Sequence, residues 1–108
     1  MDIEAISLVR TKTGEMFIGQ LDTLDGKVEL KEAYMLQVVP TSNNSFNIMM
    51  LPVFMPLLKE ATDLELTGSI MAITKPTPDL QSQYVAAITN IVLAPNPMGQ
   101  SAQQLIKG

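Results

Sequence analysis

A chain of 108 residues with 11 acids against 7 bases, a net charge of −4, has room for one domain with a modest core. It offers no generic attraction for nucleic acid or an anionic membrane. With no cysteine and no histidine, disulfides, thiolate zinc sites, a histidine general base and Ser-His-Asp chemistry are excluded.

The opening MDIEAISLVR is acidic and lacks the basic region of a signal peptide. No apolar run approaches the roughly 20 residues that cross a bilayer. The expectation is a soluble cytoplasmic protein with no membrane partner. The β-branched stretch Ile3 to Lys12 predicts a first strand with a short irregular start, ending at a turn around Gly14. Glu15 to Asp22 predicts a second strand, with Phe17, Gly19 and Leu21 on one face. Glycine weakens a strand interior, so Gly19 marks a sharp bend or the close approach of another backbone. Leu24-Asp25-Gly26-Lys27 is a tight hairpin turn, because Asp-Gly favours positive backbone angles.

Val28 to Val39 predicts a third strand, long enough to bend, and the polar loop Pro40 to Ser45 leads to a fourth at Phe46 to Leu51. Pro52 and Pro56 then break regularity across Pro52 to Asp63, since two prolines cannot both sit in a central ladder. Leu64 to Thr74 reads as strand, turn at Thr67-Gly68-Ser69, and strand. From Pro78 the period changes: Leu80, Tyr84, Ala87, Ile88 and Ile91 fall at helical spacing. Thr77 suits the N-cap, Pro78 the first turn and Asp79 the positive end of the dipole. Strand is the rival assignment for the β-branched YVAAITNIVLA. The expected domain is single, residues 1–108: a bent sheet over 3–75, a helix over 78–93 and a tail over 94–108. The fold class is mainly β, a five-stranded, strongly bent antiparallel sheet forming a small open barrel, followed by a C-terminal helix.

Few residues suggest chemistry. Asp22, Asp25 and Glu29 can be read as a hard-cation cluster or as solvated turn residues; the spacing is not that of an EF-hand loop, which favours the second. Gly14 and Gly19 resemble a phosphate-cradling loop but lack the Gly-Lys-Ser/Thr and the helix that would follow. Met49, Met50 and Met55 suit core or subunit-interface filling better than an adaptable binding surface. Lys27 and Lys31 are solvated strand residues or contacts for nucleic acid, and Tyr84 favours packing over base stacking. Arg10 can pair with an acid or line a ring face. No metal ligand set, no cofactor motif and no activated serine or lysine is legible, so an enzyme is not expected.

The run TGEMFIGQLDTLDGKVEL resembles the first motif of the Sm-like (LSm) family, with Gly14, Phe17, Gly19, Leu21, Asp25, Val28 and Leu30 in the motif's places. The chain is similar over residues 3–75 to phage-type members of that family, of the sort expected in cyanophages. The resemblance implies a homo-oligomeric ring of roughly five to seven subunits joined head to tail. It also implies RNA or single-stranded nucleic-acid binding, in the host cytoplasm for a phage-encoded protein. The site it implies comprises Asp25, Lys27, Glu29, Thr67 and Gly68. Glu29 stands where the family has an RNA-binding asparagine, Lys27 where a base-stacking aromatic or histidine is common, and Thr67-Gly68 where the second motif has Arg-Gly. A glutamate there repels phosphate and lacks the amide donor, so the implied uridine pocket is degenerate. The alternative is a structural or protein-interaction ring of a phage that binds no nucleic acid.

Overall fold

A computed structural model describes residues 1–89, so the expected last turn of the helix, with Ile91, and the 94–108 tail lie outside the described residues. The chain opens with a 3-10 turn, Ile3–Ala5, which is the short irregular start expected before the first strand. Asp2 caps it by accepting the Glu4 N–H at 3.1 Å. Six strands follow: β1 (Ile6–Thr11), β2 (Met16–Leu24), β3 (Lys27–Pro40), β4 (Phe46–Pro52), β5 (Thr62–Glu65) and β6 (Ile70–Thr74). The helix α1 (Pro78–Thr89) is the last element among the described residues. Among the described residues no helix is long and apolar enough to cross a membrane.

The sheet is antiparallel and open, ordered β4-β3-β2-β1-β6, with β5 also on β3. Six strands occupy five positions. β4 pairs with β3 from Tyr34 to Pro40, and β5 pairs with the same strand from Glu29 to Ala33. The expected five-strand count thus differs for a local reason: the outermost position is split in two. Pro52 ends the β4 ladder because it has no N–H to give, and the chain returns to β3 only at Thr62.

The Asp25-Gly26 turn is as expected, with φ of +52° and +78° and Leu24 opposite Lys27. The bend in β2 and β3 has three parts. β3 carries one extra residue between Lys31 and Tyr34, where β2 advances only from Ile18 to Gln20. The same extra residue appears against β5, whose Thr62 and Leu64 oppose Ala33 and Leu30. Glu32 takes it up in the left-handed region, φ +49°. Opposite lies Gly19, where a Cβ would stand 2.7 Å from Leu30 Cγ and 2.9 Å from the Lys31 carbonyl oxygen. Side chains satisfy the backbone groups of the bulge. The Glu32 N–H donates to the Asp63 carboxylate at 2.9 Å, and the Glu32 carbonyl accepts from the Tyr84 hydroxyl at 2.7 Å.

The bulge also sets the two cores. On one face Ile6, Ile18, Tyr34, Leu36 and Met50 pack beneath Leu80 and Tyr84 of the helix. On the other, Val9, Phe17, Leu30, Ala33 and Leu66 converge inside the curl of the sheet. Leu30 and Ala33 share a face only because the extra residue between them breaks the alternation. The helix starts as its cap predicts: Thr77 Oγ1 accepts the Leu80 N–H at 3.3 Å, and the Thr77 carbonyl accepts the Gln81 N–H at 2.9 Å. Tyr84 is fully buried and its ring meets Tyr34 edge to face, with centroids 6.2 Å apart. Each such buried side chain contributes roughly 1.5–3 kcal/mol to holding the helix on the sheet.

Candidate functional site

The two stretches that carry the family resemblance lie far apart in sequence and meet in the structure. β3 begins at Lys27, directly after the hairpin turn, and Thr67-Gly68 forms the turn between β5 and β6. That turn is fastened to the start of β3 on both sides. The Val28 N–H donates to the Thr67 hydroxyl at 2.9 Å, and the Leu66 N–H donates to the Val28 carbonyl at 2.8 Å. Gly68 has φ +76°, which suits glycine at the corner, and the turn closes through the Ser69 N–H and the Leu66 carbonyl at 2.9 Å. Lys27, Glu29, Thr67 and Gly68 therefore belong to one small region. Asp25 stands at the tip of the adjacent hairpin, and no hydrogen bond joins its side chain to Thr67 or Gly68 among the described residues.

Strand alternation decides which way the charges face. Leu30, Leu64 and Leu66 point into the curl of the sheet, so Glu29 and Glu65 point outward. Glu29 is the register partner of Asp22 on β2 and of Glu65 on β5. Three carboxylates thus form a row across three strands, a row in which like charges oppose one another directly. Lys31 partly neutralises it, its Nζ lying 3.6 Å from Glu29 and 3.9 Å from Asp22. All these groups are well exposed, and such pairs add little to stability. The Thr67 N–H donates to Glu65 at 2.7 Å. That bond holds the Glu65 carboxyl below its ordinary range, helped by the Lys27 charge. Glu65 is therefore firmly ionised and adds its charge beside Glu29.

The Thr67 hydroxyl is already engaged with Val28, and its N–H with Glu65, so this turn offers a ligand less than a bare Thr-Gly suggests. The residues missing from the sequence reading are Glu65, Asp63 and Gln20. The signal for the first two was present in TDLEL: Leu64 and Leu66 alternate with Asp63 and Glu65, which sends the acids outward. Gln20 reaches Glu32 Oε1 at 3.1 Å and the Tyr84 hydroxyl at 3.3 Å across the bulge, a contact that no local pattern announces. Other sequence candidates have structural roles. Arg10 donates to the Gly14 carbonyl at 3.3 Å and lies 3.1 Å from the Met16 sulfur, and Met50 is core.

The second notable surface is the pair of sheet margins. Among the described residues, β4 and β5 leave their outer edge free on one side, and β6 leaves its own on the other. Apolar side chains run out to both. Leu51, opposite the core-packed Met35, and Met49 lie half-buried at the first. Ile73, opposite the core residue Val9, and Met71 stand exposed at the second. No protein-family model matches the chain, and no curated protein matches it.

Proposed function

We propose that the chain is the repeating unit of a homo-oligomeric Sm-like ring, non-enzymatic, acting as a structural or protein-interaction part. Its β4 margin pairs with the β6 margin of the next subunit. The observation that carries this reading is the pair of free margins with matched chemistry: Met49 and Leu51 at one, Met71 and Ile73 at the other. An open sheet with two unpaired apolar edges recruits further chains. Joining unlike edges is a heterologous contact, which closes into a ring of roughly five to seven subunits when the rotation fits. Light scattering at micromolar concentration tests it: a discrete oligomer is expected, and a stable monomer refutes the ring.

Nucleic-acid binding is the second reading. It is favoured by the meeting of the start of β3, next to Lys27, with the Thr67-Gly68 turn through Val28, as a site built from both family motifs requires. The acidic row Asp22, Glu29 and Glu65 weighs against it. One Lys27 per subunit around a common axis gives a small positive rim, so binding would be weak and salt-sensitive. Fluorescence anisotropy with short oligo-uridine at low and moderate salt decides the matter. Glu29→Asn should tighten binding by supplying an amide and removing a charge, and Lys27→Ala should weaken it and flatten the salt dependence. If parent and Glu29→Asn rings both fail to bind at low salt, the nucleic-acid reading falls and the structural ring stands.

A further inference from the structure

The segment between β4 and β5 has no role in the fold that accounts for its composition. From Val53 to Leu58 it reads VFMPLL, without a single charge. Val53 packs inward against the second core, which anchors the segment. Beyond it Phe54, Met55, Leu57 and Leu58 are exposed, Leu57 to 86%. This is a folded tip. The Met55 N–H donates to the Pro52 carbonyl at 3.2 Å, and the Leu57 and Leu58 N–H groups donate to the Phe54 carbonyl at 2.8 and 3.1 Å. Four large apolar side chains are therefore held outward by hydrogen-bonded turns, in an arrangement water does not favour.

Its position says what covers it. The tip leaves the sheet at Pro52, the last residue of the free β4 margin, and rejoins the same margin at Thr62. A strand added along β4 loses its backbone ladder at Pro52, which has no N–H. Past that point the incoming chain meets only the tip. The chain's other free margin, Ile70–Thr74, is also uncharged and carries exposed Met71 and Ile73. Both surfaces are apolar, and one continues the edge along which the other would lie.

We infer that the Val53–Leu58 tip is an intersubunit clasp whose occupant is a second copy of this chain, Phe54 and Leu57 seating on the Met71 end of the next subunit's β6, past the last paired residue Pro52. The inference rests on the ring reading and adds to it a contact made by side chains beyond the end of the strand pairing. It gives the segment after Pro52 a purpose: to replace the missing ladder at the weak end of the seam.

Because the chain has no cysteine, paired cysteines report the contact without background. Full-length protein carrying Leu57→Cys with Met71→Cys is treated with a short bismaleimide. Protein carrying Met49→Cys with Ile73→Cys reports the strand seam alone, and each single variant serves as control. Leu57 is almost fully exposed, so its replacement leaves the folded subunit intact. The expected result is a ladder of linked subunits from both double variants and none above dimer from the single ones. Phe54→Asp with Leu57→Asp should raise the concentration at which the oligomer dissociates by about tenfold or more. A seam ladder without a Leu57–Met71 ladder, together with unchanged dissociation of the aspartate variant, overturns the clasp and leaves the ring standing. Two missing ladders with a monomeric parent overturn the ring and the clasp together.

Discussion

Replacing Gly19 with alanine should destabilise the protein, although alanine is ordinarily the better strand residue. A Cβ at this position stands 2.7 Å from Leu30 Cγ, 2.9 Å from the Lys31 carbonyl oxygen and 3.2 Å from Ala33 Cα. The leucine can turn aside. The two backbone atoms belong to the β3 bulge and can move only if the bulge does. Overpacking of this kind costs about 1–3 kcal/mol. Against it stands the roughly 0.5–1 kcal/mol gained when a strand glycine becomes alanine. At the middle of both ranges the balance is a loss of about 1 kcal/mol for alanine, and a larger one for valine, whose added methyls have nowhere to go. Urea unfolding at fixed protomer concentration measures it, since association adds to apparent stability. The midpoint should fall with the slope unchanged. Gly26→Asn is the control: Gly26 has φ +78° with nothing within 4 Å, and asparagine tolerates that conformation. It should change little, while Gly19→Asn should cost at least as much as Gly19→Ala. A Gly19→Ala midpoint equal to or above that of the parent would refute the close approach as the reason for the glycine.

Tyr84→Phe removes the hydroxyl that donates to the Glu32 carbonyl and should cost about 1–3 kcal/mol in urea unfolding. Burial, with the Glu32 charge adding to it, pushes the Tyr84 phenol up to about 12 from its ordinary 10.0. Between those values the unfolded chain has lost a proton that the folded one keeps, so stability should fall as pH rises from about 10 to about 12. Melts across that window should show a shallower decline in Tyr84→Phe, and equal declines would refute the assignment. Asp63→Ala should destabilise by about 0.5–1.5 kcal/mol by removing the acceptor of the exposed Glu32 N–H, with urea midpoints as the measure. Leu80→Ala, emptying the seat of the helix on the sheet, should cost about 2–5 kcal/mol by the same assay.

The features legible in the sequence were those with local chemistry. Asp25-Gly26 announces its turn because few residue pairs accept two positive φ angles. Thr77-Pro78-Asp79 announces the helix start because cap, first turn and dipole all agree. Gly19 was legible as a close approach, though not the neighbour that approaches. What was not legible depends on residues distant in sequence. Nothing in KEAY marks Glu32 as the residue that adopts left-handed φ; its backbone is held there by Asp63 and Tyr84, which lie 31 and 52 positions away. The strand before Thr67 was legible from Leu64 on and begins two residues earlier, at Thr62; that it shares the outer position of the sheet with β4 was not, because the pairing of both with β3 is a long-range matter. The candidate site followed the same rule. The positions of Lys27, Glu29 and Thr67 could be assigned one at a time, but the opposition of Glu29 to Glu65 is a matter of register between strands.

The pairing pattern also orders events in time. β1 to β4 form a chain of neighbouring hairpins whose turns close short loops. The β1–β6 pairing must bring Leu8 to Thr74. Loop closure of that length is the slower step. The meander therefore forms early, and a chain emerging from synthesis has its β4 margin before its β6 exists. Until β6 docks, β1 is itself an open edge, and a β6 strand from another molecule fits it as well as its own. Crowded refolding should thus favour exchange of β6 between chains, and slow, dilute refolding should favour the intramolecular closure.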